Sequence, residues 1–260
     1  MTEILASIRD LGVRYDDAMA LAGIDLDILL GERLAIIGES GSGKSTLALA
    51  VAGLLPDEAA CTGKIKWPRL GHAPQPGRDI GFLFQDAGPS FNPVLTIGEQ
   101  IAEVARHHLE LGWGEAYEYT LHLLERVRMP EPHRALHAYP HQFSGGQRQR
   151  LAIAAAIAAR PRLLIADEPT SALDTVVQAQ IIGLLDGLIR EAGMTLLFIT
   201  HDIALASGFA DRIAVFHDGR IVEAGNASRV LARPQAGYTA RLLASHIDLD
   251  TPPLVSGYPA

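Results

Sequence analysis

The chain has 260 residues, a net charge of −8, and 48 % apolar against 20 % charged residues. That length suits one large α/β domain, alone or with an inserted subdomain, and the apolar share supports a substantial core and excludes wholesale disorder. The acidic balance argues against a general nucleic-acid binder, which needs a basic surface; the single cysteine, Cys61, excludes an internal disulfide framework and fits a reducing compartment.

The first ten residues mix acidic and basic side chains without an apolar segment, so they do not form a signal peptide. No stretch approaches the ~20 apolar residues that span a bilayer. The N-terminal third alternates apolar strands with turns. Residues 24–30 alternate around Asp25 and Asp27 before Gly31-Glu32, and residues 34–37 form a short apolar run expected of a strand buried on both faces. A Gly-rich loop follows, and then Leu47, Val51, Leu54 and Leu55 recur at helical spacing. Residues 67–78 are rich in Pro and Gly and predict a surface loop. Residues 80–84 predict a strand that ends at Gln85. From about 87 to 160 the periodicity is helical, with Ile97, Ile101 and Val104, then Leu121, Leu124 and Val127, and no strand pattern interrupts it. This stretch is expected to be an inserted helical subdomain. Strand patterns return at 163–166 and 195–200, with a crossover helix over 176–190 between them. Residues 213–223 predict a hairpin turning at Asp218-Gly219, and the Pro-containing tail from 249 to 260 is expected to be loose.

Two sites carry chemistry. Gly38-Glu39-Ser40-Gly41-Ser42-Gly43-Lys44-Ser45-Thr46 matches G-x-x-x-x-G-K-[ST] between a buried strand and a helix. Glycines let backbone N–H groups turn inward around phosphate oxygens, and the helix N-terminus adds partial positive charge. Lys44 is expected to reach the β and γ phosphates of ATP, and the Ser45 hydroxyl to ligate Mg²⁺. The second site is Leu163-Leu164-Ile165-Ala166-Asp167-Glu168, an apolar strand delivering two carboxylates at its C-terminal end, where α/β sheets place ligands. Asp167 suits the Mg²⁺ shell, and Glu168 is positioned to polarise a water for attack on the γ phosphate.

Phe143-Ser144-Gly145-Gly146-Gln147-Arg148-Gln149-Arg150 resembles the signature motif of the ATP-binding cassette (ABC) family. Ser144 before a helical run also satisfies N-cap chemistry, and the two roles are compatible. Other elements of the family follow in order. Gln85 resembles the Q-loop glutamine, Ser171-Ala172-Leu173-Asp174 the D-loop, His201 the switch histidine, and Tyr15 the aromatic residue that stacks on adenine. The resemblance runs from Ile8 to about Leu243. It implies a phosphate-loop NTPase fold: a mixed α/β sheet with an N-terminal antiparallel β subdomain and an inserted helical subdomain, the whole of 1–260 being one ATP-binding domain. It further implies that two such domains face head to tail. Ser144, Gly145, Gly146 and Gln147 of one chain would then touch ATP held by the other, His201 would contact the γ phosphate, and Gln85 would sense Mg²⁺ and the attacking water.

Finer features resemble the subfamily that energises importers of peptides and nickel. Asp86-Ala87-Gly88-Pro89-Ser90-Phe91-Asn92-Pro93 is similar to its Ser-Leu-Asn-Pro stretch, with Phe91 in place of Leu. Tyr139-Pro140-His141-Gln142 leads into the signature motif as it does there, and Gly237-Tyr238-Thr239-Ala240-Arg241-Leu242-Leu243 resembles a C-terminal Pro-Tyr-Thr-x-x-Leu-Leu element. The C-terminal segment lacks the cysteines that bind an iron–sulfur cluster in many peptide-importer subunits, so no cluster is expected. That absence and the short 67–78 loop resemble nickel-type subunits. Such a subunit would sit at the cytoplasmic face of the inner membrane with two permease subunits and a second ATP-binding subunit, identical or homologous. It would meet an extracytoplasmic substrate-binding protein only indirectly, and would bind no nucleic acid. Two other readings remain open. A soluble cassette ATPase acting on nucleic acid or ribosomes usually carries coiled-coil insertions or tandem cassettes, which this chain lacks. A degenerate regulatory cassette would have lost Lys44, Glu168 or His201, and all three are present. Of the ten histidines, the adjacent His107 and His108 are expected to point to different helix faces, and Pro140 breaks any helix through His133, His137 and His141, so no metal site beyond Mg²⁺ is expected.

Overall fold

The computed structural model describes residues 3–85, 90–171 and 173–246. In chain order the elements are β1 (Ile4–Tyr15), β2 (Ala18–Leu29), β3 (Arg33–Ile37), α1 (Lys44–Ala52), β4 (Ala59–Lys66), β5 (Ile80–Leu83), α2 (Ile97–Leu109), α3 (Trp113–Arg126), α4 (Pro132–Leu136), a 3₁₀ turn (Pro140–Gln142), α5 (Gly145–Ile157), β6 (Leu163–Asp167), α6 (Thr175–Ala192), β7 (Thr195–Thr200), α7 (Ile203–Phe209), β8 (Arg212–His217), β9 (Arg220–Asn226), α8 (Ala227–Ala232) and α9 (Gly237–His246). They fall into two compact units, Met1–Pro74 with Thr195–Ala260, and Gln75–Met194. The expected loose tail, residues 86–89 and Ala172 lie outside the described residues.

The first unit holds an antiparallel sheet ordered β2-β1-β4. Its β4 is exposed at almost every position, as an edge strand can be, and so shows no alternation in sequence. In the same unit β3 lies between two parallel neighbours, β7 and β8, and β9 closes antiparallel on β8. Leu34, Ala35, Ile36 and Ile37 are all buried, as a strand covered on both faces requires. The β8–β9 turn passes through Asp218 (φ 47) and Gly219 (φ 70), the pair of left-handed residues that a two-residue hairpin favours. Buried Glu32 accepts hydrogen bonds from Leu29 N (2.6 Å) and from Arg212 Nη1 (3.0 Å), and Arg212 also donates to Asp27 O (3.0 Å). Burial still pushes the Glu32 carboxyl above its ordinary value, against the pull of Leu29 N–H and Arg212.

Helix α1 stops earlier than its apolar spacing suggests. Gly53 turns left-handed (φ 69), and Leu54 N donates to Leu49 O at 2.8 Å, a Schellman-type ending. Leu54 and Leu55, expected on the helix, therefore lie beyond it, and Leu54 is exposed.

In the second unit β5 and β6 pair in parallel, and α2 to α5 lie between them in sequence. Among the described residues from 90 to 160 there is no strand. Helix α2 begins with a capping box, Thr96 N donating to Glu99 Oε2 (2.7 Å) and Glu99 N to Thr96 Oγ1 (3.3 Å). On this helix the His107 and His108 rings meet edge-on, centroids 4.7 Å apart. Successive helical side chains start about 100° apart; His107 is exposed while His108 is half-buried, and the two rings touch only at their edges.

Candidate functional site

The phosphate loop belongs to the first unit. The chain leaves β3 at Ile37 and enters a loop pressed from two sides. A Cβ on Gly38 would lie 2.3 Å from Phe216 O of β8, and one on Gly43, whose φ is +101, would lie 2.5 Å from Ala20 O of β2. Only glycine fits such approaches. Gly219 N donates to Ser42 O at 3.0 Å, and Ser42 N to Glu39 O at 3.3 Å. Lys44 is buried, and its Nζ donates to Gly38 O (2.9 Å) and Glu39 O (2.7 Å), which folds the ammonium into the loop's concave side. Gly43 caps α1 without any side-chain bond, so the N–H groups of the first turn stay open to a ligand. Ser42 Oγ is buried with no hydrogen-bond partner among the described residues. An oxyanion suits this set: open amides, a helix N-terminus, an ammonium and an unsatisfied hydroxyl. Ser45 is exposed and Thr46 half-buried in the first turn of α1; Glu39, Ser40 and Gly41 are exposed at the loop's outer rim.

His201 follows β7 in the same unit. Thr200 Oγ1 accepts from Asp202 N (2.9 Å), and the Asp202 carboxylate accepts from Leu205 N (3.0 Å), capping α7. These two bonds fix the backbone on either side of His201, whose residue is exposed. Tyr15 stands half-buried at the end of β1, paired with Ala18 of β2 and Ala59 of β4.

The carboxylates belong to the second unit. Every residue of β6 is buried, Asp167 included. Glu168 then adopts a left-handed backbone (φ 45), a conformation that costs a non-glycine residue about 1–2 kcal/mol. Ser171 donates to Glu168 O from both its N and its Oγ, each at 3.2 Å, and so holds this turn. Gln85, just beyond β5, donates from Nε2 to Glu168 Oε2 at 3.5 Å. The parallel pairing of β5 and β6 thus brings together the two residues expected to handle the attacking water.

Ser144 and Gly145 are exposed at the start of α5, with Gly146 and Gln147 half-buried behind them. Ser144 Oγ accepts from Gln147 N at 3.4 Å, while Ser144 N donates to Gln147 Oε1 at 2.9 Å. The sequence carried this signal as Ser-x-x-Gln, but only the serine half of the box is an expectation from sequence. Asp174 caps α6, accepting from Val177 N at 3.0 Å. An Asp directly before a helical run carries this signal in the sequence.

A family model described as "ABC transporter" matches residues 21–171. The chain is 43 % identical to the peptidoglycan transport ATP-binding protein YejF of Agrobacterium fabrum, over 98 % of this chain and 51 % of that protein. It is 40 % identical to the oligopeptide transport ATP-binding protein OppD of Bacillus subtilis, over 95 % of this chain and 73 % of that one. The chain thus spans about half to three quarters of the length of these relatives. Among solved structures, cbiO1 of Clostridium perfringens, part of the ABC transporter complex cbiONQ, superposes with a TM-score of 0.74 at 29 % identity, covering 89 % of this chain and 92 % of that one. The post-hydrolysis dimer of the ATP-binding cassette MJ0796, bound to ADP and Pi, gives 0.73 at 29 % identity, covering 85 % and 98 %.

Proposed function

The chain belongs to the ABC transporter family, and from that premise we propose that it binds and hydrolyses ATP to energise a membrane importer of peptides. The observation that carries the ATP half is the loop at the start of α1, where buried Lys44 bridges Gly38 O and Glu39 O beside an uncapped helix N-terminus. The importer half rests on the likeness, over nearly all of this chain though only part of theirs, to transport subunits named for peptidoglycan and oligopeptides. Those names favour peptides over nickel complexes as cargo.

In this scheme Lys44 and the amides of residues 38–46 grip the β and γ phosphates, and Tyr15 stacks on adenine. Glu168 takes up a proton from, or polarises, the attacking water, Gln85 holds that carboxylate in place, and His201 contacts the γ phosphate. The donor set of Ser45 hydroxyl, Gln85 amide oxygen and Asp167 carboxylate is all oxygen, which suits a hard cation. Bound there, Mg²⁺ would neutralise charge on the β and γ phosphate oxygens. Ser144, Gly145, Gly146 and Gln147 complete the site of a second ATP-binding subunit, with the α5 N-terminus directed at its ATP. We take 1–260 as one such domain, with the helices of about 87–160 inserted in it.

No described helix is long and apolar enough to cross a membrane. In the proposed assembly two permease subunits hold the membrane, and a substrate-binding protein is engaged only indirectly from the far side. Phe84 and Val94 are exposed apolar side chains of the second unit and suit a permease helix at the cytoplasmic face of the inner membrane. The test is to express the chain together with candidate permease subunits and a peptide-binding protein from the same organism. The expected result is co-purification with the permease and ATP hydrolysis in vesicles that rises with peptide-loaded binding protein. Failure to associate, or stimulation by nucleic acid instead, would overturn the reading.

A further inference from the structure

The second unit carries a cavity that no step of the ATPase scheme uses. The C-terminal ends of α3, α5 and α6 meet at it. Its volume is about 360 Å³, within the range of small-molecule sites, roughly 300–1,000 Å³. Ile157, Pro161 and Met194, all buried, supply an apolar wall. Arg126, Arg160 and Glu191 bring charge to the same space, with His122 beside them.

Arg160 is the unusual member. Its N donates to Ile157 O at 2.9 Å and so closes the end of α5, with a left-handed backbone (φ 55). Helix ends of this kind select glycine or asparagine, so a long cationic side chain is not what the turn itself asks for. That side chain is held in place. The guanidinium lies over the Tyr119 ring, 5.0 Å from its centroid, and Nε donates to Tyr119 Oη at 3.3 Å. Among the described residues no carboxylate pairs with Arg160, and its two Nη groups make no hydrogen bond. Glu191, exposed near the end of α6, accepts one bond, from Arg126 Nη2 at 3.1 Å, which leaves its other carboxylate oxygen open. The three helix C-termini add partial negative charge. The cavity therefore offers both signs beside an apolar wall: a fixed guanidinium for a carboxylate, and a carboxylate with helix ends for an ammonium.

We propose that this cavity binds a small zwitterion with an apolar side chain, a free amino acid or a dipeptide. Arg160 takes the ligand's carboxylate through its two Nη groups, Glu191 takes the ammonium, and the side chain covers Ile157, Pro161 and Met194. A simple anion would meet Glu191 and the helix C-termini, and a simple cation would meet two guanidinium groups, so each alone is disfavoured. The inference does not depend on the ATPase reading, since none of these residues belongs to the phosphate loop or to the carboxylate pair at the end of β6.

The full chain is titrated calorimetrically with three probes: alanyl-leucine, its N-acetyl form, which lacks the ammonium, and its C-terminal amide, which lacks the carboxylate. The expected result is saturable binding of the free dipeptide at one site, with each blocked form at least tenfold weaker, the loss that goes with one charged hydrogen-bonding group. Arg160→Gly removes the guanidinium and suits the left-handed backbone. It should weaken the free dipeptide at least tenfold while the thermal midpoint stays within about 3 °C of wild type. Glu191→Gln, at an exposed position, should erase the preference for the free dipeptide over its N-acetyl form. The inference is overturned by wild-type chain that shows no saturable binding up to about 10 mM, by Arg160→Gly binding as wild type does, by equal binding of the N-acetyl form, or by a preference that survives Glu191→Gln.

Discussion

Ser144 has two roles that substitution can separate. As the N-cap of α5 it accepts from Gln147 N, but at 3.4 Å this is a long bond, while the reciprocal bond from Ser144 N to Gln147 Oε1 is 2.9 Å and survives loss of the hydroxyl. Replacing an N-cap serine by alanine costs about 0.5–2 kcal/mol, and the long geometry places Ser144→Ala in the lower half of that range, about 0.5–1 kcal/mol. For a chain of this size that is a fall in melting temperature of about 1–4 °C. Ser144→Asp should cost nothing, because aspartate caps a helix as well as serine does and its charge suits the helix dipole. In the proposed two-chain clamp the same carboxylate would face the γ phosphate held by the other subunit. Two like charges about 5 Å apart at an effective dielectric constant of about 20 repel by roughly 3 kcal/mol, which is more than a hundredfold. Melting curves and steady-state ATP hydrolysis by the assembled transporter read the two effects separately. Ser144→Asp should melt like wild type and turn over at least a hundredfold more slowly. Near wild-type turnover in Ser144→Asp would refute the partner-ATP role and leave Ser144 a cap alone.

Gly43→Ala places a Cβ at φ +101 and 2.5 Å from Ala20 O; the left-handed conformation and the overlap together should cost about 2 kcal/mol or more, lowering the melting temperature by roughly 4–8 °C and weakening ATP binding, as differential scanning and titration will show. Glu223 is linked to pH. Burial acts to raise its pKa, but the N–H groups of Ala236 and Gln235, with Thr239 and the charge of Arg229, together outweigh it, and the net value lies below the ordinary 4.5. A depressed carboxylate stabilises the fold above its unfolded pKa and loses that contribution as pH falls through the folded value. The gap in melting temperature between wild type and Glu223→Gln should therefore be full near pH 7 and shrink only below about pH 4.5, whereas a gap independent of pH would show that the charge is not what seats α9.

Much of this arrangement was legible in sequence because function forced unusual residues into fixed spacing. Gly38, Gly43 and Lys44 stand out since few other contexts need two glycines and a lysine at a strand-to-helix junction, and the apolar run into Asp167 and Glu168 marks a strand buried on both faces. Features set by tertiary packing were not legible. Leu54 has the right helical spacing, yet Gly53 ends α1 one residue before it. The edge strand β4 is exposed along nearly its whole length and so offers no alternating pattern. Tyr238 matches a sequence element, but its stack on His217 joins residues distant in the chain, and no local pattern announces it. Gln85 lay between these cases: its position at a strand end was readable, while its bond to Glu168 Oε2 depends on the pairing of β5 with β6.

The central claim is that Glu168 drives hydrolysis of an ATP gripped by the phosphate loop. It is tested most directly with Glu168→Gln, which keeps the shape of the side chain and removes its basicity. In the assembled transporter, single-turnover measurement with radiolabelled ATP should find the nucleotide bound and uncleaved, with turnover reduced at least a hundredfold, a loss on the scale of general-base catalysis. Turnover within about twofold of wild type would contradict the account.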